Sequence, residues 1–313
     1  MTRAFVFPGQ GSQAVGMGRE LAAAFPAARH LFQEVDDALS QHLAQLMFEG
    51  PADELTLTEN AQPALMAVSL AVVRVLRQEG GVDMAKTCAF VAGHSLGEYS
   101  ALAAADALGV PVAARLLKTR GRAMQQAVPV GVGGMAALIG VDIEAAQAIA
   151  KEASAEGVCE TANDNAPGQV VVSGALTAVE RAVAIAGEKG ARKCVMLPVS
   201  APFHCSLLSP AAEVMRDALE AAEIATPVVP LIANVTAEPV RDPAEIRRLL
   251  VEQVTSTVRW RESVLAMKAH GVDTLIEVGA GKVLTGLARR IDREMTAMPV
   301  GTPEDIETLL KIL

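Results

Sequence analysis

A short apolar run, Cys88-Ala89-Phe90-Val91-Ala92, leads into Gly93-His94-Ser95-Leu96-Gly97, and the helix-forming stretch Glu98-Tyr99-Ser100-Ala101-Leu102-Ala103-Ala104-Ala105 follows. The run has the length and composition of a buried strand, and the alanine-rich stretch has the propensity of a helix. Between them stands G-x-S-x-G, the pattern of a nucleophile elbow. A serine at the tip of so tight a strand-to-helix turn must take up a strained backbone conformation, and glycines on both sides remove the side chains that would collide around it. The helix that starts at Leu96 turns unpaired N–H groups and its positive dipole end toward whatever Ser95 attacks, which supplies half of an oxyanion hole. Strand, sharp turn and helix in that order require an α/β architecture.

The rest of the chain alternates in the same way. A strand Ala4-Phe5-Val6-Phe7 runs into the loop Pro8-Gly9-Gln10-Gly11-Ser12-Gln13, helical segments cover about 18–46, and a helix covers Ala64 to Gln78. Alternation of this kind predicts a mainly parallel sheet with helices on both faces. From Met135 the pattern changes. Strand Met135–Ile139, a helix capped by Asp142 and running to about Ala155, and strand Val158–Ala162 precede the turn-rich Asn163-Asp164-Asn165-Ala166-Pro167-Gly168. Strand Gln169–Ser173, helix Ala178–Glu188 ending at Gly190, and strand Arg192–Leu197 complete a βαββαβ order, the ferredoxin-like arrangement. The expected division is a large domain, 1–127 with 199–313, carrying a small subdomain, 128–198. The large sheet resumes near Val228–Ala233, with the strand proper starting at Leu231 after Pro230, and again at Thr274–Val278 before a helix from Val283.

Composition narrows the function. With 313 residues, 51% hydrophobic and 20% charged, the chain buries a large core. A net charge of −9 and the lack of any basic run argue against a nucleic-acid surface. Cys88, Cys159, Cys194 and Cys205 are far apart and form no C-x-x-C pair, which disfavours a zinc site or a disulfide framework and fits the cytoplasm. The most apolar stretch, Ala101 to Leu117, is interrupted by Asp106, Gly109, Pro111 and Arg115, so no membrane span is expected; Ala4–Phe7 is too short for a signal sequence.

A serine nucleophile needs a base, and there are five histidines. His30 and His42 lie in polar-flanked helical stretches and are expected at the surface. His94 adjoins Ser95, but neighbours on an extended strand face opposite ways. His270 ends a helix, where its bland role is to complement the dipole. His204, in Pro198-Val199-Ser200-Ala201-Pro202-Phe203-His204-Cys205, sits on a loop stiffened by two prolines beside the expected inter-domain cleft, and is the best placed for proton transfer. Cys205 beside it reads as a small buried thiol. Gly9-Gln10-Gly11-Ser12-Gln13-Ala14 fits G-x-G-x-x-A, but no acidic strand end follows about 20 residues later, so a dinucleotide cofactor is not expected. Gly279-Ala280-Gly281-Lys282 lacks P-loop spacing and reads as a helix-opening turn. Arg120, taken alone, reads as a surface arginine at the end of an apolar helix.

Pro8-Gly9-Gln10-Gly11-Ser12-Gln13, the elbow with Glu98, Arg120 before Gly121-Arg122, Asn163 through Gln169, the His204 loop and Glu277-Val278-Gly279 together resemble the malonyl-CoA:acyl carrier protein transacylase family, over nearly the whole chain. The resemblance implies an α/β-hydrolase-like domain with an inserted ferredoxin-like subdomain, in agreement with the pattern. It makes Ser95 the nucleophile and His204 the general base and then acid. The backbone N–H groups of Leu96 and Gln10 would form the oxyanion hole, Arg120 would hold the malonyl carboxylate, and the main-chain carbonyl of Gln253 would orient the histidine. No metal and no cofactor are implied; the partners are malonyl-CoA and acyl carrier protein, the setting fatty-acid synthesis. Phenylalanine at 203 is similar to the malonyl-preferring pattern of polyketide-synthase acyltransferases. Rival readings are an acyltransferase of a polyketide pathway, a serine esterase or thioesterase with Asp242 and His270 as partners, a NAD enzyme resting on the Gly9 loop, and a non-catalytic carrier-binding module.

Overall fold

A computed structural model of the chain describes residues 2–313. It contains strands β1 (Arg3–Phe7), β2 (Phe90–Gly93), β3 (Gly133–Ile139), β4 (Cys159–Ala166), β5 (Gln169–Ala175), β6 (Lys193–Met196), β7 (Leu231–Ile232), β8 (Pro239–Val240), β9 (Thr274–Val278) and β10 (Thr296–Val300). Six form one sheet in the order β10-β9-β1-β2-β7-β8. All its pairings are parallel except β7 with β8. Residues of β1, β2 and β9 are buried almost without interruption, because helices cover both faces of a parallel sheet. β1 and β2 are adjacent and parallel, so the loops leaving their carboxyl ends, with Gln10 and Ser95, lie side by side at one edge of the sheet and line one cavity.

The second sheet, β4-β5-β3-β6, is antiparallel throughout, which is the ferredoxin-like order. Helices Ile143–Ala153 and Leu176–Glu188 bury its one face in a small core built on Leu138, Ile149, Val172 and Ile185. The other face presents Met135, Ala162 and Val171 to Leu197, Val199 and Phe203. The fold is therefore α/β, an α/β-hydrolase-like sheet domain with a smaller ferredoxin-like one. No helix among the described residues is long and apolar enough to cross a membrane.

Two local expectations differ from the structure, and strands β8 and β10 have no counterpart in the sequence reading. The turn-rich stretch from Asn163 is mostly strand: β4 runs on to Ala166 through register shifts at Thr161/Asn163 and Asp164/Ala166. Its polar residues are satisfied from outside the small sheet. Asp164 N–H donates to the Val258 carbonyl at 3.0 Å, Val258 N–H to the Ala162 carbonyl at 2.8 Å, and the Asp164 carboxylate pairs with Arg261 at 2.8 Å. Next, the helix expected from Ala64 begins at Thr58 and reaches Gly80, passing through Pro63 close to its first turn, and is buried nearly all round. Finally, β10 escapes notice because Pro299 interrupts it; as the edge strand it needs no donor on its free side.

Candidate active site

The elbow is built as its glycines require. Ser95 has φ 55°, in the left-handed region. A Cβ on Gly93 would lie 1.9 Å from the Gly97 carbonyl carbon, and one on Gly97 would lie 2.3 Å from the Phe7 oxygen, so neither position admits a side chain. Asn234 clamps the turn from below: its Oδ1 accepts from Ser95 N–H at 2.8 Å and its Nδ2 donates to the Gly93 carbonyl at 2.6 Å. Helix Gly97–Ala104 then leads away. Among the described residues, no protein group accepts a hydrogen bond from the backbone N–H of Leu96 or of Gln10. Both residues line the cavity that Ser95 faces.

His204 approaches from the other side of that cavity. Its Nε2 is 2.8 Å from Ser95 Oγ and its Nδ1 is 2.9 Å from the main-chain oxygen of Gln253. A carbonyl only accepts, so Nδ1 carries the hydrogen and Nε2 offers its lone pair to the serine hydroxyl. The ring is 4% exposed. Burial, and after it the positive charge of Arg120, push its pKa down to about 3, against the pull of the Gln253 carbonyl. The imidazole is therefore neutral across the physiological range. His204 itself has φ 60°, so both members of the pair sit on strained backbone.

Arg120 corrects the surface reading. It lies well inside helix Val110–Ala127 and is 1% exposed. The cause is Gly121: a Cβ there would meet Glu59 Cα at 2.5 Å, so this helix and helix Thr58–Gly80 touch backbone to backbone, and the neighbouring arginine turns inward. Its Nη1 donates to Gln62 Oε1 at 2.9 Å; its Nη2 donates to Gln253 Oε1 at 2.7 Å and to Ser95 Oγ at 3.2 Å. The guanidinium stands over the Tyr99 ring at 5.8 Å from the centroid. All three hydrogen-bond partners are neutral, and Nε is buried with none. One Nη1 hydrogen is left without a protein acceptor and one Nη2 hydrogen meets only the neutral Ser95 hydroxyl, in a site where an anion is the favoured partner.

Ser95, His204, Arg120, Gln10 and Leu96 all border one cavity of about 440 Å³, with Gln62, Met135 and Phe203 among its other walls. That volume suits an acyl group and the end of the chain bearing it. Gln253 touches three of these groups at once, through its main-chain oxygen to His204 and its side chain to Arg120 and the Ser95 carbonyl.

Other candidates are placed elsewhere. His94 turns from the serine: its Nε2 is 2.8 Å from Asn165 Oδ1, its ring packs against Trp260 at 5.7 Å, and burial lowers its pKa. His30 and His42 are exposed, as is His270, whose Nδ1 donates to the Ala266 carbonyl at 2.8 Å. Asp242 caps helix Pro243–Glu252. Neither Asp242 nor His270 borders the Ser95 cavity, so the partners of the esterase reading are not assembled. Cys205 is fully buried, its thiol pushed up to about 11 by burial. Gly279 through Lys282 opens helix Val283–Ile291, and Glu277 caps that helix through Leu284 N–H at 2.9 Å and Thr285 N–H at 2.7 Å. The sequence reading missed Gln62, Asn234 and Glu98. Glu98 was in view only as part of the elbow motif; its carboxyl is buried under Ser95, accepts from Asn234 N–H at 2.8 Å and from Gln253 Nε2, and is raised to about 7 by burial.

Residues 4–302 match the model of the acyl transferase domain. The malonyl CoA-acyl carrier protein transacylase of Bacillus subtilis (strain 168) is 46% identical over 311 residues, which is 99% of this chain and 96% of that protein. The chain belongs to the acyl transferase family, among its malonyl CoA-acyl carrier protein transacylases. The acyl-carrier-protein-S-malonyltransferase of Bartonella henselae superposes with a TM-score of 0.98 at 57% identity, covering 100% of this chain and 99% of that one. A malonyl-transacylase solved in complex with a type II PKS acyl-carrier protein superposes with a TM-score of 0.96 at 41% identity, covering 100% of both chains.

Proposed function

We propose that the chain moves the malonyl group from malonyl-CoA to the phosphopantetheine thiol of an acyl carrier protein in fatty-acid synthesis, through a malonyl ester on Ser95. The observation that carries this is Ser95 Oγ standing between His204 Nε2 at 2.8 Å and Arg120 Nη2 at 3.2 Å. Nucleophile, base and a buried cation with donors to spare meet at one oxygen.

His204 takes the hydroxyl proton as Ser95 attacks the thioester carbonyl of malonyl-CoA, and returns it to the departing CoA sulfur. The unused N–H groups of Leu96 and Gln10 receive the charge that develops on the carbonyl oxygen. Arg120 pairs with the free carboxylate of the malonyl group, which also removes the cation's cost of burial without a counter-charge. The carrier's thiol, deprotonated by the same imidazole, then attacks the ester, and the proton goes back to Ser95. His204 is oriented by the Gln253 carbonyl, a dipole without full charge where hydrolases keep a carboxylate. Four free thiols, three of them buried, support a reducing compartment, the cytoplasm. The end of the long helix at Ala127 and of β6 at Met196 supports a division into 1–127 with 199–313, and 128–198.

The test is incubation with malonyl-CoA followed by intact mass measurement and peptide mapping. A malonyl adduct on Ser95 that clears on addition of phosphopantetheinylated carrier protein is expected. Malonyl-CoA turnover to free malonate, with no adduct and no transfer to carrier, would move the chain to the esterase reading.

A further inference from the structure

The transfer chemistry uses the main-chain oxygen of Gln253 and leaves its side chain unassigned. That side chain is fully buried and makes four polar contacts. Its Nε2 donates to the Ser95 carbonyl at 2.9 Å and to Glu98 Oε2, and lies 3.4 Å from Asn234 Oδ1; its Oε1 accepts from Arg120 Nη2 at 2.7 Å. The two ends of the amide thus face opposite chemistries. Three acceptor oxygens converge on one end, and a guanidinium meets the other.

The orientation is decided first by two groups that cannot change role, the Ser95 carbonyl on one side and the Arg120 guanidinium on the other. The Ser95 carbonyl only accepts, and so does an ionised Glu98 carboxylate, whose other oxygen is fixed by the Asn234 N–H at 2.8 Å. Turning the amide over would set an oxygen against these acceptors and an NH2 against the guanidinium, leaving buried groups unsatisfied on both sides. Glu98 is in turn the carboxylate whose charge acts on Arg120 across the amide.

We propose that the Gln253 side chain, held in one orientation by the Ser95 carbonyl and Glu98, is a positioning residue for Arg120 and so sets selectivity for a carboxylate-bearing acyl group, separately from the hold of its main-chain carbonyl on His204. With Nη2 anchored to Oε1 and Nη1 to Gln62 Oε1, the guanidinium plane is fixed at the wall of the cavity. This rests on Arg120 reading the malonyl carboxylate, as in the function proposed above.

Gln253→Met keeps the side-chain length and the main-chain oxygen and removes the anchor. Acylation of Ser95 is to be compared for malonyl-CoA and acetyl-CoA in wild type and variant, with kcat and KM resolved and thermal melting alongside. Malonyl transfer is expected to lose about tenfold more kcat/KM than acetyl transfer, with the excess in KM for malonyl-CoA. Equal losses for the two substrates, or unchanged selectivity, would overturn the inference, since a residue that only supports the fold or only orients His204 affects both alike. Should Gln253→Met not fold because the Glu98 carboxylate has lost its donor, Gln253→Met combined with Glu98→Gln removes that buried charge, and the same comparison decides. A wild-type protein that takes no malonyl group would instead overturn the function itself.

Discussion

Replacing Arg120 by Met tests how the cavity reads its substrate. Methionine fills a similar volume beside Tyr99, so the change removes the charge and the donors with little loss of packing. Arg120 has one Nη1 hydrogen free of protein acceptors and one Nη2 hydrogen on the Ser95 hydroxyl that a carboxylate can share, and each charge-assisted bond to a carboxylate contributes about 1.5–3 kcal/mol. Losing both costs malonyl transfer about 3–6 kcal/mol, or roughly 10²- to 10⁴-fold in kcat/KM. Acetyl-CoA brings no carboxylate, and in the wild type its methyl group offers those donors no acceptor while it displaces the water that could. The variant therefore spares acetyl transfer that cost, and selectivity inverts. The same substitution removes the second-largest cause of the low His204 pKa, so the imidazole rises toward its ordinary value. The assay is transfer to holo acyl carrier protein from each thioester, with kcat/KM measured for both, and histidine titration by NMR. Equal losses for malonyl and acetyl groups would refute the reasoning and leave Arg120 a structural or CoA-binding residue.

Ser95→Ala and His204→Ala are each expected to abolish transfer while the melting transition persists, and the double variant to be no slower than either; a much slower double variant would show that the two do not act as one unit. His204 carries a defined contribution to acid sensitivity: it is held to about 3 in the folded chain against about 6.5 unfolded, so between these values the unfolded state binds the extra proton and this group costs the fold up to ~1.4 kcal/mol per pH unit as the pH falls, opposed above 4.5 by Glu98, whose raised value makes the folded state the one that binds a proton. His204→Gln should remove the His204 share, so that stability in urea titrations declines less, or rises, as the pH falls from about 6.5 to 4, and an unchanged slope would contradict the burial of the neutral ring. Gly93→Ala forces a Cβ to within 1.9 Å of the Gly97 carbonyl carbon, so the variant is expected to lose its cooperative melt or lose Ser95 acylation, and a variant with both intact would mean that the elbow relaxes freely.

What was legible in the sequence is what local sterics and periodicity dictate. G-x-S-x-G announced a turn that only glycines permit, and the spacing of strands from Met135 to Leu197 announced an antiparallel sheet whose order follows from βαββαβ. The illegible part depends on pairs of residues far apart in the chain. Asn163 through Ala166 look like turn formers, yet they continue β4 because Val258 and Arg261, nearly a hundred positions on, supply their partners. Arg120 looked exposed because a helix carrying it has no sequence signal for which face turns inward; that face was chosen by Gly121 against Glu59. The buried polar layer of Gln62, Glu98, Asn234 and Gln253 has the same character. Each of these residues alone is an unremarkable polar side chain, and none carries a periodic signal. Together they satisfy one another around a strained serine and a buried arginine, and the cost of leaving any one unpaired in that interior is what fixes the orientation of the rest. The elbow motif therefore locates the chemistry, while selectivity is set by a layer of side chains that only the assembled fold brings together.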